Sequence, residues 1–332
     1  TRRLMSTFLP PHLAEALPEI STPAYVADAA VLKKNLATAD RIRKEAGCRV
    51  LLALKAFALP ALFPLMREFL DGTTASGLYE ARLGREEFGK EVHVYSPAYT
   101  EGSLRELVSI ADHLYFNSAE QICRFLPLVK AAGKDKKIGI RVNPGYSHVT
   151  LGGHLYDPCS PCSRFGVPRS ELAGLPWDEI DILHAHTLCE SLADGSMGLI
   201  EHVAKELGPY IGRVKAVNFG GGHFIGKPGY DVDALIGAVR DFRNTFGVDV
   251  ILEPGSGIVV DAGYLVSTVL DVVHNEKDIA VLDASASCHM PDVLEVPYTP
   301  PLYGAAGPGI EPFTYILGGN TCMTGDIIGE YS

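Results

Sequence analysis

The middle of the chain repeats one pattern: a short apolar segment, a loop, and then a longer segment with apolar residues at helical spacing. The short segments are typical of buried strands and the longer ones of amphipathic helices. The predicted strands are 49–55, 72–76, 92–96, 113–117, 137–143, 181–187, 214–219 and 249–253. The predicted helices are 58–70, 78–87, 102–110, 119–132, 197–207 and 233–246.

This alternation predicts an α/β fold with a closed barrel. Strands that alternate with helices pair in parallel through right-handed crossovers. Eight such units over about 200–250 residues are the size of a (β/α)₈ barrel of the TIM type, which we expect over residues 25–262. The longest departure, 144–177, is rich in Gly, Pro, Ser and Cys, and we expect it to form a functional loop over one barrel mouth.

The pattern changes after Asp261. Segments 264–274, 279–283 and 312–317 are predicted strands, separated by Pro- and Gly-rich turns without helices between them. They indicate a C-terminal β domain over 263–332. Residues 1–24 have no place in the barrel and are expected to join that domain.

Composition and charge narrow the class of protein. The net charge of −11 disfavours a nucleic-acid or acidic-membrane partner, and no apolar run reaches the ~18 residues of a membrane helix. Seven scattered cysteines suggest reduced thiols and a cytoplasmic protein. Cys159 and Cys162 form a single CxxC pair, too few ligands for a structural zinc site, so we predict a loop there and no metal.

Candidate chemistry lies at the strand ends, where the catalytic groups of such barrels are found. Lys55 ends the first strand, in the run Leu-Leu-Ala-Leu-Lys. A charged lysine is costly to bury, and a desolvated lysine with a lowered pKa is the nucleophile that Schiff-base formation needs. The alternative is a lysine that simply reaches solvent.

The ends of strands seven and eight indicate a phosphate site. Both are followed by glycine-rich loops, Gly220–Gly222 and Gly255–Gly257, which let backbone N–H groups approach an anion, although tight turns would also use them. Glu253 would repel phosphate but suits a pyridine nitrogen, which an ionised partner keeps protonated. With Lys55 and a histidine able to stack on the ring, the set predicts a pyridoxal 5'-phosphate site.

Nine segments spread over nearly the whole chain carry a family resemblance. They are TPAYVAD (22–28), ALKAF (53–57), RVNP (141–144), SRFG (163–166), HAHTLCE (184–190), GGGH (220–223), EPG (253–255), CHMPD (288–292) and GNTCMTGD (319–326). In order and content they resemble the fold-type-III pyridoxal-phosphate decarboxylases, which act on ornithine, arginine, diaminopimelate and carboxynorspermidine. HTLCE and CHMPD are similar to the branch that acts on carboxynorspermidine and carboxyspermidine.

The resemblance implies a role for each matching residue. Lys55 would hold the cofactor as a Schiff base, His186 would stack on its ring with Arg141 nearby, and Glu253 would pair with the ring nitrogen and face the substrate. The phosphate would be held by Gly220, Gly221, Gly222, Gly255, Ser256 and Gly257. Cys322 would deliver or gate a proton, and Asp326 would face the substrate amine, both across a homodimer interface. Asp292 and His289 would contact the distal part of the substrate.

The expected reaction is decarboxylation of a cationic carboxylated polyamine to norspermidine or spermidine, two products whose precursors differ by one methylene. Alternatives are a decarboxylase of another basic amino acid, a racemase of the same fold, and a non-enzymatic cofactor carrier. Racemases of this fold pair an arginine with the ring nitrogen, so Glu253 favours decarboxylation. Members of this family continue beyond the position of Ser332 with more β structure, which includes a tyrosine near the cofactor phosphate. We therefore expect either that the chain lacks its C-terminal tail or that this part of the site is absent.

Overall fold

The structure is a computed structural model that describes residues 9–133, 136–149, 155–296 and 298–332. The chain divides into two compact units. One unit is Asp28–Ala262, and the other combines Thr1–Ala27 with Gly263–Ser332. We refer to them as the barrel unit and the sheet unit.

The barrel unit contains eight parallel strands in a closed ring. They are Arg49–Ala53, Gly72–Ala75, Glu91–Tyr95, His113–Phe116, Lys137–Asn143, Ile182–His184, Ala216–Asn218 and Asp249–Leu252. Each strand pairs with the next strand in this series, and the eighth pairs with the first. The predicted (β/α)₈ barrel is therefore confirmed, and we number these strands one to eight.

Helices lie between the strands. The α-helices are Ala29–Ala46, Phe63–Met66, Leu78–Leu83, Glu101–Ile110, Ala119–Ala131, Ala193–Ile211, Val232–Phe246 and Ser256–Val259. A π-helical turn, Gly84–Phe88, extends the third of them, 3-10 turns cover Pro60–Leu62, Arg169–Gly174 and Trp177–Glu179, and Val167–Pro168 is a short strand. Among the described residues, no helix combines the length and the apolar character that crossing a membrane requires.

Two helical predictions differ from the structure. Helix Ala29–Ala46 was not predicted; the Asp28 side chain caps it by accepting the N–H groups of Ala30 and Val31, and Gly47 ends it at φ 66°. Its apolar residues recur at helical spacing and are buried. The predicted helix 58–70 is instead a 3-10 turn followed by one α-helical turn, in a segment that contains two prolines.

The barrel has two packed layers. A large core fills the space between strands and helices, while a second cluster, Leu51, Tyr115, Ile182, Ala216 and Ile251, lies inside the ring. The Tyr115 ring needs the space left by Gly139, where a Cβ would lie 2.2 Å from Tyr115 Cδ1. Side chains alternate between the two faces of a strand, so every second side chain points into the ring, and these side chains fill its interior. The cavity lies at the strand ends.

The sheet unit has two small sheets. Ala24–Ala27 pairs antiparallel with Gly263–Val266, and a four-stranded sheet contains, in order, Val269–Asn275, Lys277–Leu282, Tyr315–Gly318 and Ile327–Tyr331. Helix Pro11–Ala16 and the 3-10 turn Leu17–Glu19 precede them. The predicted strand 264–274 is thus two strands, and the strand at 327–331 was not predicted.

The expectation that no helices separate these strands was wrong. Ala286–His289 and Asp292–Glu295 are helical. Ser285 begins the first of them, since its side chain accepts the N–H of Cys288, and such a cap satisfies backbone groups that would otherwise lack partners.

Candidate active site

One cavity of about 660 Å³ opens at the carboxyl ends of the barrel strands. Lys55, Arg141, His186 and Glu253 all line it. The barrel therefore brings together, from strands one, five, six and eight, four residues that the sequence singles out. Residues 155–158 and 160–165 line the same cavity, so the described part of the predicted mouth loop does border it.

The mouth loop is anchored to strand four. The side chain of Asn117, the residue after Phe116, donates to the carbonyl oxygen of Arg164 at 2.8 Å and accepts the N–H of Gly166 at 2.7 Å. Gly166 has φ 82°, and a Cβ there would lie 2.6 Å from the carbonyl carbon of Val142. The SRFG segment thus needs a glycine at its end.

Lys55 is accessible from the open cavity, yet the surrounding protein lowers its pKa. Desolvation is the main cause, and the positive charge of Arg141 is the next. Glu253 and Cys189 act in the opposite direction. A lysine with a lowered pKa has a larger neutral fraction, which is the nucleophilic form.

Glu253 is almost completely buried. Burial raises its pKa, while hydrogen bonds from Asn218 and Thr74 and the charges of Lys55 and Arg141 oppose that effect. Its Oε1 accepts a hydrogen bond of 2.8 Å from Asn218 Nδ2. A buried carboxylate that faces cationic groups in a cavity is a suitable partner for a protonated ring nitrogen.

Two histidines line the cavity: His184, which ends strand six, and His186, which lies two residues after it. His186 Nδ1 accepts the N–H of Gly221 at 3.2 Å, so the glycine loop orients this ring. His184 is buried, and its Nε2 lies 3.6 Å from Glu253 Oε2, while neither of its ring nitrogens has a hydrogen-bond partner among the described residues. Burial holds the pKa of both imidazoles well below the ordinary range, so both are neutral.

Arg141 lies between two aromatic rings. Its guanidinium carbon is 4.7 Å from the ring centroid of Tyr95 and 4.5 Å from that of Phe165. Burial lowers its pKa, although a guanidinium remains protonated at neutral pH. These contacts hold the charge at the cavity wall.

The two glycine loops pack closely against the site. Gly220 and Gly222 have φ of 67° and 86°, and a Cβ on Gly220 would lie 2.4 Å from His186 Cβ. A Cβ on Gly255 would lie 2.5 Å from Ala56 Cβ, and one on Gly257 would lie 2.2 Å from the carbonyl oxygen of His223. Ser256 begins the short helix Ser256–Val259. The glycines are thus required by close approach as well as by backbone conformation.

The CxxC pair lies in the mouth loop, as predicted. Both cysteines are free thiols; Cys159 Sγ is 3.3 Å from the carbonyl oxygen of Tyr146, and Cys162 lines the cavity. Burial raises the pKa of Cys159 to about 11, which disfavours the thiolate that redox or metal chemistry needs.

Within the described ranges, two groups of side chains have donor atoms within 4.8 Å of one another, the spacing of metal ligands. His184, His186 and Glu253 belong to the cavity. Glu91, His93 and His113 lie at the other end of the barrel, where the two imidazoles stack at 3.8 Å.

Four predicted site residues belong to the sheet unit. Asp326 is buried and accepts from Ser287 N at 3.2 Å and Thr321 Oγ1 at 2.5 Å. Asp292 accepts from Tyr298 Oη at 2.6 Å. His289 Nδ1 accepts the N–H of Ser285 at 3.1 Å, and Cys322 is an exposed free thiol. Their predicted roles remain predictions.

The sequence reasoning assigned no role to several residues of this site. They are Thr74, Tyr95, Asn218 and Asp157, together with His184 and Cys189, which entered the sequence analysis only as members of the segment 184–190. Asn218 and His184 both end barrel strands, and this was the available signal. Asp157 and Cys189 are loop residues, and no periodicity marks them.

Comparisons with known proteins show which family this chain resembles. The family model described as "Pyridoxal-dependent decarboxylase, C-terminal sheet domain" matches residues 24–332. The chain is 38% identical over 325 residues to the carboxynorspermidine/carboxyspermidine decarboxylase of Campylobacter jejuni, with 95% of this chain and 84% of that protein covered. It is 40% identical over 321 residues to the carboxyaminopropylagmatine decarboxylase of Synechocystis, with 95% and 81% covered.

A solved structure is similar over the same range. The carboxynorspermidine decarboxylase of Campylobacter jejuni, complexed with norspermidine, superposes with a TM-score of 0.85 at 37% identity and covers 94% of this chain and 84% of that one. Sequence, family model and structure thus agree over both units. The chain belongs to the family of pyridoxal-dependent decarboxylases.

Proposed function

We propose that this chain decarboxylates carboxynorspermidine or carboxyspermidine, releasing carbon dioxide and leaving norspermidine or spermidine. The observation that carries the proposal is the buried carboxylate of Glu253 in the same cavity as Lys55. The substrate class is supported by the names of the relatives at 38% and 40% identity, all of which act on carboxylated, cationic chains.

The residues present fit pyridoxal 5'-phosphate. His184 has two buried ring nitrogens without partners among the described residues, as expected beside a site that binds a polar ligand. Lys55, with its lowered pKa, would hold the aldehyde carbon. The loops Gly220–Gly222 and Gly255–Gly257 would form the phosphate cradle. The N–H groups of Gly220 and Gly221 already donate to Asn218 Oδ1 and His186 Nδ1, so the backbone N–H groups of Gly222, Gly255, Ser256 and Gly257 would hold the phosphate, and Glu253 would face the ring nitrogen.

When bound, the cofactor supplies an electron sink for the bond that breaks. Glu253 would keep a proton at the ring nitrogen, which maintains that sink. His186, neutral and oriented by Gly221, would cover one ring face without adding a charge. Residues 155–158 and 160–165 border the cavity and would limit the access of water to it.

Glu253 distinguishes this reaction from racemisation. An ionised carboxylate favours the protonated ring and therefore loss of carbon dioxide, whereas an arginine at this position would weaken the electron sink. A carrier that only binds the cofactor would have no need of the second unit, which holds Cys322, Asp326, Asp292 and His289. Asp326 would face the substrate amine, Asp292 and His289 would contact the distal part of the substrate, and Cys322 Sγ would hold the proton that replaces carbon dioxide.

We further propose a homodimer with shared active sites, in which Cys322 and Asp326 reach the active site of the partner. Strand Val269–Asn275 is an edge strand, and four of its apolar side chains are 45–58% exposed: Val269, Leu270, Val272 and Val273. An exposed apolar edge strand favours association, and a second copy of the chain would cover it.

We further propose that the protein works in the cytoplasm. All seven cysteines are free thiols, including the exposed Cys123, Cys288 and Cys322. Exposed free thiols persist in a reducing compartment.

The test is release of carbon dioxide by purified protein loaded with pyridoxal phosphate. Carboxynorspermidine, carboxyspermidine, carboxyaminopropylagmatine, diaminopimelate, ornithine and arginine are compared by kcat/KM. The proposal expects the first two to be the best substrates. A best rate on any of the others would assign that substrate instead, and racemisation without carbon dioxide release, or cofactor binding without turnover, would reject decarboxylation.

A further inference from the structure

Asn218, the last residue of strand seven, makes three side-chain hydrogen bonds inside the barrel. Its Oδ1 accepts the N–H of Gly220 at 2.8 Å. Its Nδ2 donates to Glu253 Oε1 at 2.8 Å and to Tyr115 Oη at 3.0 Å. The amide orientation is unambiguous, because only the oxygen accepts from an N–H and only the nitrogen donates to a carboxylate.

The bonds continue through the barrel interior. Tyr115 Oη accepts from Asn218, so its own hydrogen goes to His93 Nδ1, 3.0 Å away. Burial lowers the pKa of His93 to about 3, so the ring is neutral and Nε2 carries its hydrogen toward Glu91 Oε2 at 3.4 Å. A chain of hydrogen bonds therefore joins Glu253 to the opposite end of the barrel, with Asn218 Nδ2 as the donor on both sides: to Glu253 in one direction and to Tyr115 in the other.

Asn218 also joins two parts of the cavity that come from different strands. Gly220 begins the glycine loop after strand seven, and Glu253 follows strand eight. The backbone N–H of Glu253 donates to the carbonyl oxygen of Gly220 at 2.7 Å. The side chain of Asn218 adds a second link between the same two residues, one that holds the carboxylate itself.

We propose that Asn218 is a positioning residue that holds the Glu253 carboxylate at a set place relative to the glycine loop, with Tyr115 as its support from inside the barrel. The inference rests on the proposed pairing of Glu253 with the ring nitrogen. Asn218 acts through Glu253 and is not itself placed in contact with the reacting atoms.

Loss of this donor has a defined consequence. The hydrogen bond from Asn218 is one of the contributions that lower the pKa of Glu253 against the effect of burial. Without this hydrogen bond, the carboxylate is freer to rotate and its protonated, neutral form becomes more favourable. Both changes make Glu253 less able to keep the ring nitrogen protonated.

The experiment measures cofactor binding and does not depend on the substrate. Asn218→Ala, Glu253→Gln and the double variant are compared with the unchanged protein by the equilibrium dissociation constant of pyridoxal phosphate and by the pH dependence of the bound-cofactor absorbance. Hydrogen bonds to charged groups are among the stronger ones, so we expect binding to weaken about tenfold to a hundredfold in Asn218→Ala. In the Glu253→Gln background the same change should cost less than about threefold.

Tyr115→Phe keeps the ring that fills the space beside Gly139 and removes only the hydroxyl. We expect a smaller weakening, about threefold to tenfold, again confined to the background with Glu253 intact. Thr73→Val is the matched control: Thr73 is equally buried on strand two, and its hydroxyl has no partner among the described residues. It should leave cofactor binding and the absorbance profile unchanged.

Three outcomes would overturn the inference. If Asn218→Ala weakens binding equally in both backgrounds, Asn218 does not act through Glu253, while the decarboxylase assignment stands on its own test. If Asn218→Ala and Tyr115→Phe lower only the free energy of unfolding, with binding and absorbance unchanged, the chain of hydrogen bonds is structural. A wild-type protein that binds no cofactor rejects both the inference and the proposed function.

Discussion

Nη2 of Arg141 donates a hydrogen bond of 2.8 Å to the carbonyl oxygen of His186. The bond joins strand five to the residue that lies two positions after strand six, and it fixes the backbone from which the His186 ring projects. Because that ring also accepts from the N–H of Gly221, its orientation is set from two sides.

Arg141→Lys should therefore misplace His186 although it keeps a positive charge. A lysine has no planar fork with which to lie between Tyr95 and Phe165 and reach the same carbonyl. We expect kcat to fall about tenfold to a hundredfold, with weaker cofactor binding, as for loss of a hydrogen bond from a charged donor. Steady-state kinetics and cofactor titration measure both. Arg124→Lys, which changes an exposed arginine over Phe125, should have no effect, and equal results for the two variants would contradict the role given to Arg141.

Lys55→Ala should abolish the absorbance band of the lysine-bound cofactor. Lys55 is the lysine that lines the cavity, and its pKa is lowered. The band is recorded after loading with pyridoxal phosphate, and borohydride reduction followed by peptide mapping identifies the labelled lysine. Lys215→Ala, at an exposed ion pair with Asp181, is the control and should keep the band. Labelling of a different lysine would contradict the assignment of Lys55 as the lysine that binds the cofactor.

Glu253→Gln should lower kcat more than it raises KM. The variant keeps the size of the side chain and removes the charge that maintains a proton at the ring nitrogen, and this interaction strengthens as negative charge develops in the reaction. Each pKa unit lost at the ring nitrogen corresponds to about 1.4 kcal/mol. Steady-state kinetics with the best substrate provide the measurement. If Glu253 only caps the turn before Pro254, the variant will decarboxylate at a near wild-type kcat.

Mixed dimers test whether sites are shared. Lys55→Ala and Cys322→Ala proteins are each expected to be nearly inactive, but a hybrid of the two would contain one intact site. Mixing should restore up to about a quarter of wild-type activity when subunits exchange at random and in equal amounts. Exchange is followed with differently tagged chains. Hybrids that form and remain inactive would show that each site uses residues of a single chain.

The buried imidazoles at the opposite end of the barrel predict a dependence of stability on pH. Burial lowers the pKa of His93 and of His113 to about 3, from an ordinary value of 6.5. Between these values the unfolded chain binds protons that the folded barrel does not, so the free energy of unfolding falls as the pH falls from 6.5 toward 3. The slope is at most about 1.4 kcal/mol per pH unit for each imidazole.

Urea denaturation between pH 8 and pH 4 measures this slope. His113→Gln should reduce it by about 1 kcal/mol per pH unit. A variant that loses stability equally at every pH would show that His113 is important for packing and not for proton linkage.

The sequence by itself determined the barrel and the approximate location of the site. Strand length, apolar content and alternation with helices are local properties, and they identified all eight barrel strands. Lys55 and Glu253 could be selected because both follow apolar strands, and parallel strands bring their carboxyl ends together. The family resemblance, which the comparisons confirm, added the predicted roles of Cys322 and Asp326, which no local pattern indicates and which stay predictions.

Tertiary structure decided which polar side chains face one another. Asn218 is separated by 35 residues from Glu253 and by 103 from Tyr115, and nothing in the chain near Asn218 marks either partner. Whether a side chain at a strand end points into the ring or outward depends on how the strands are staggered when the barrel closes. The helix at 286–289 likewise depends on a cap from Ser285 and on packing of Ala286 in the sheet-unit core, because a four-residue segment is too short to be a stable helix by itself.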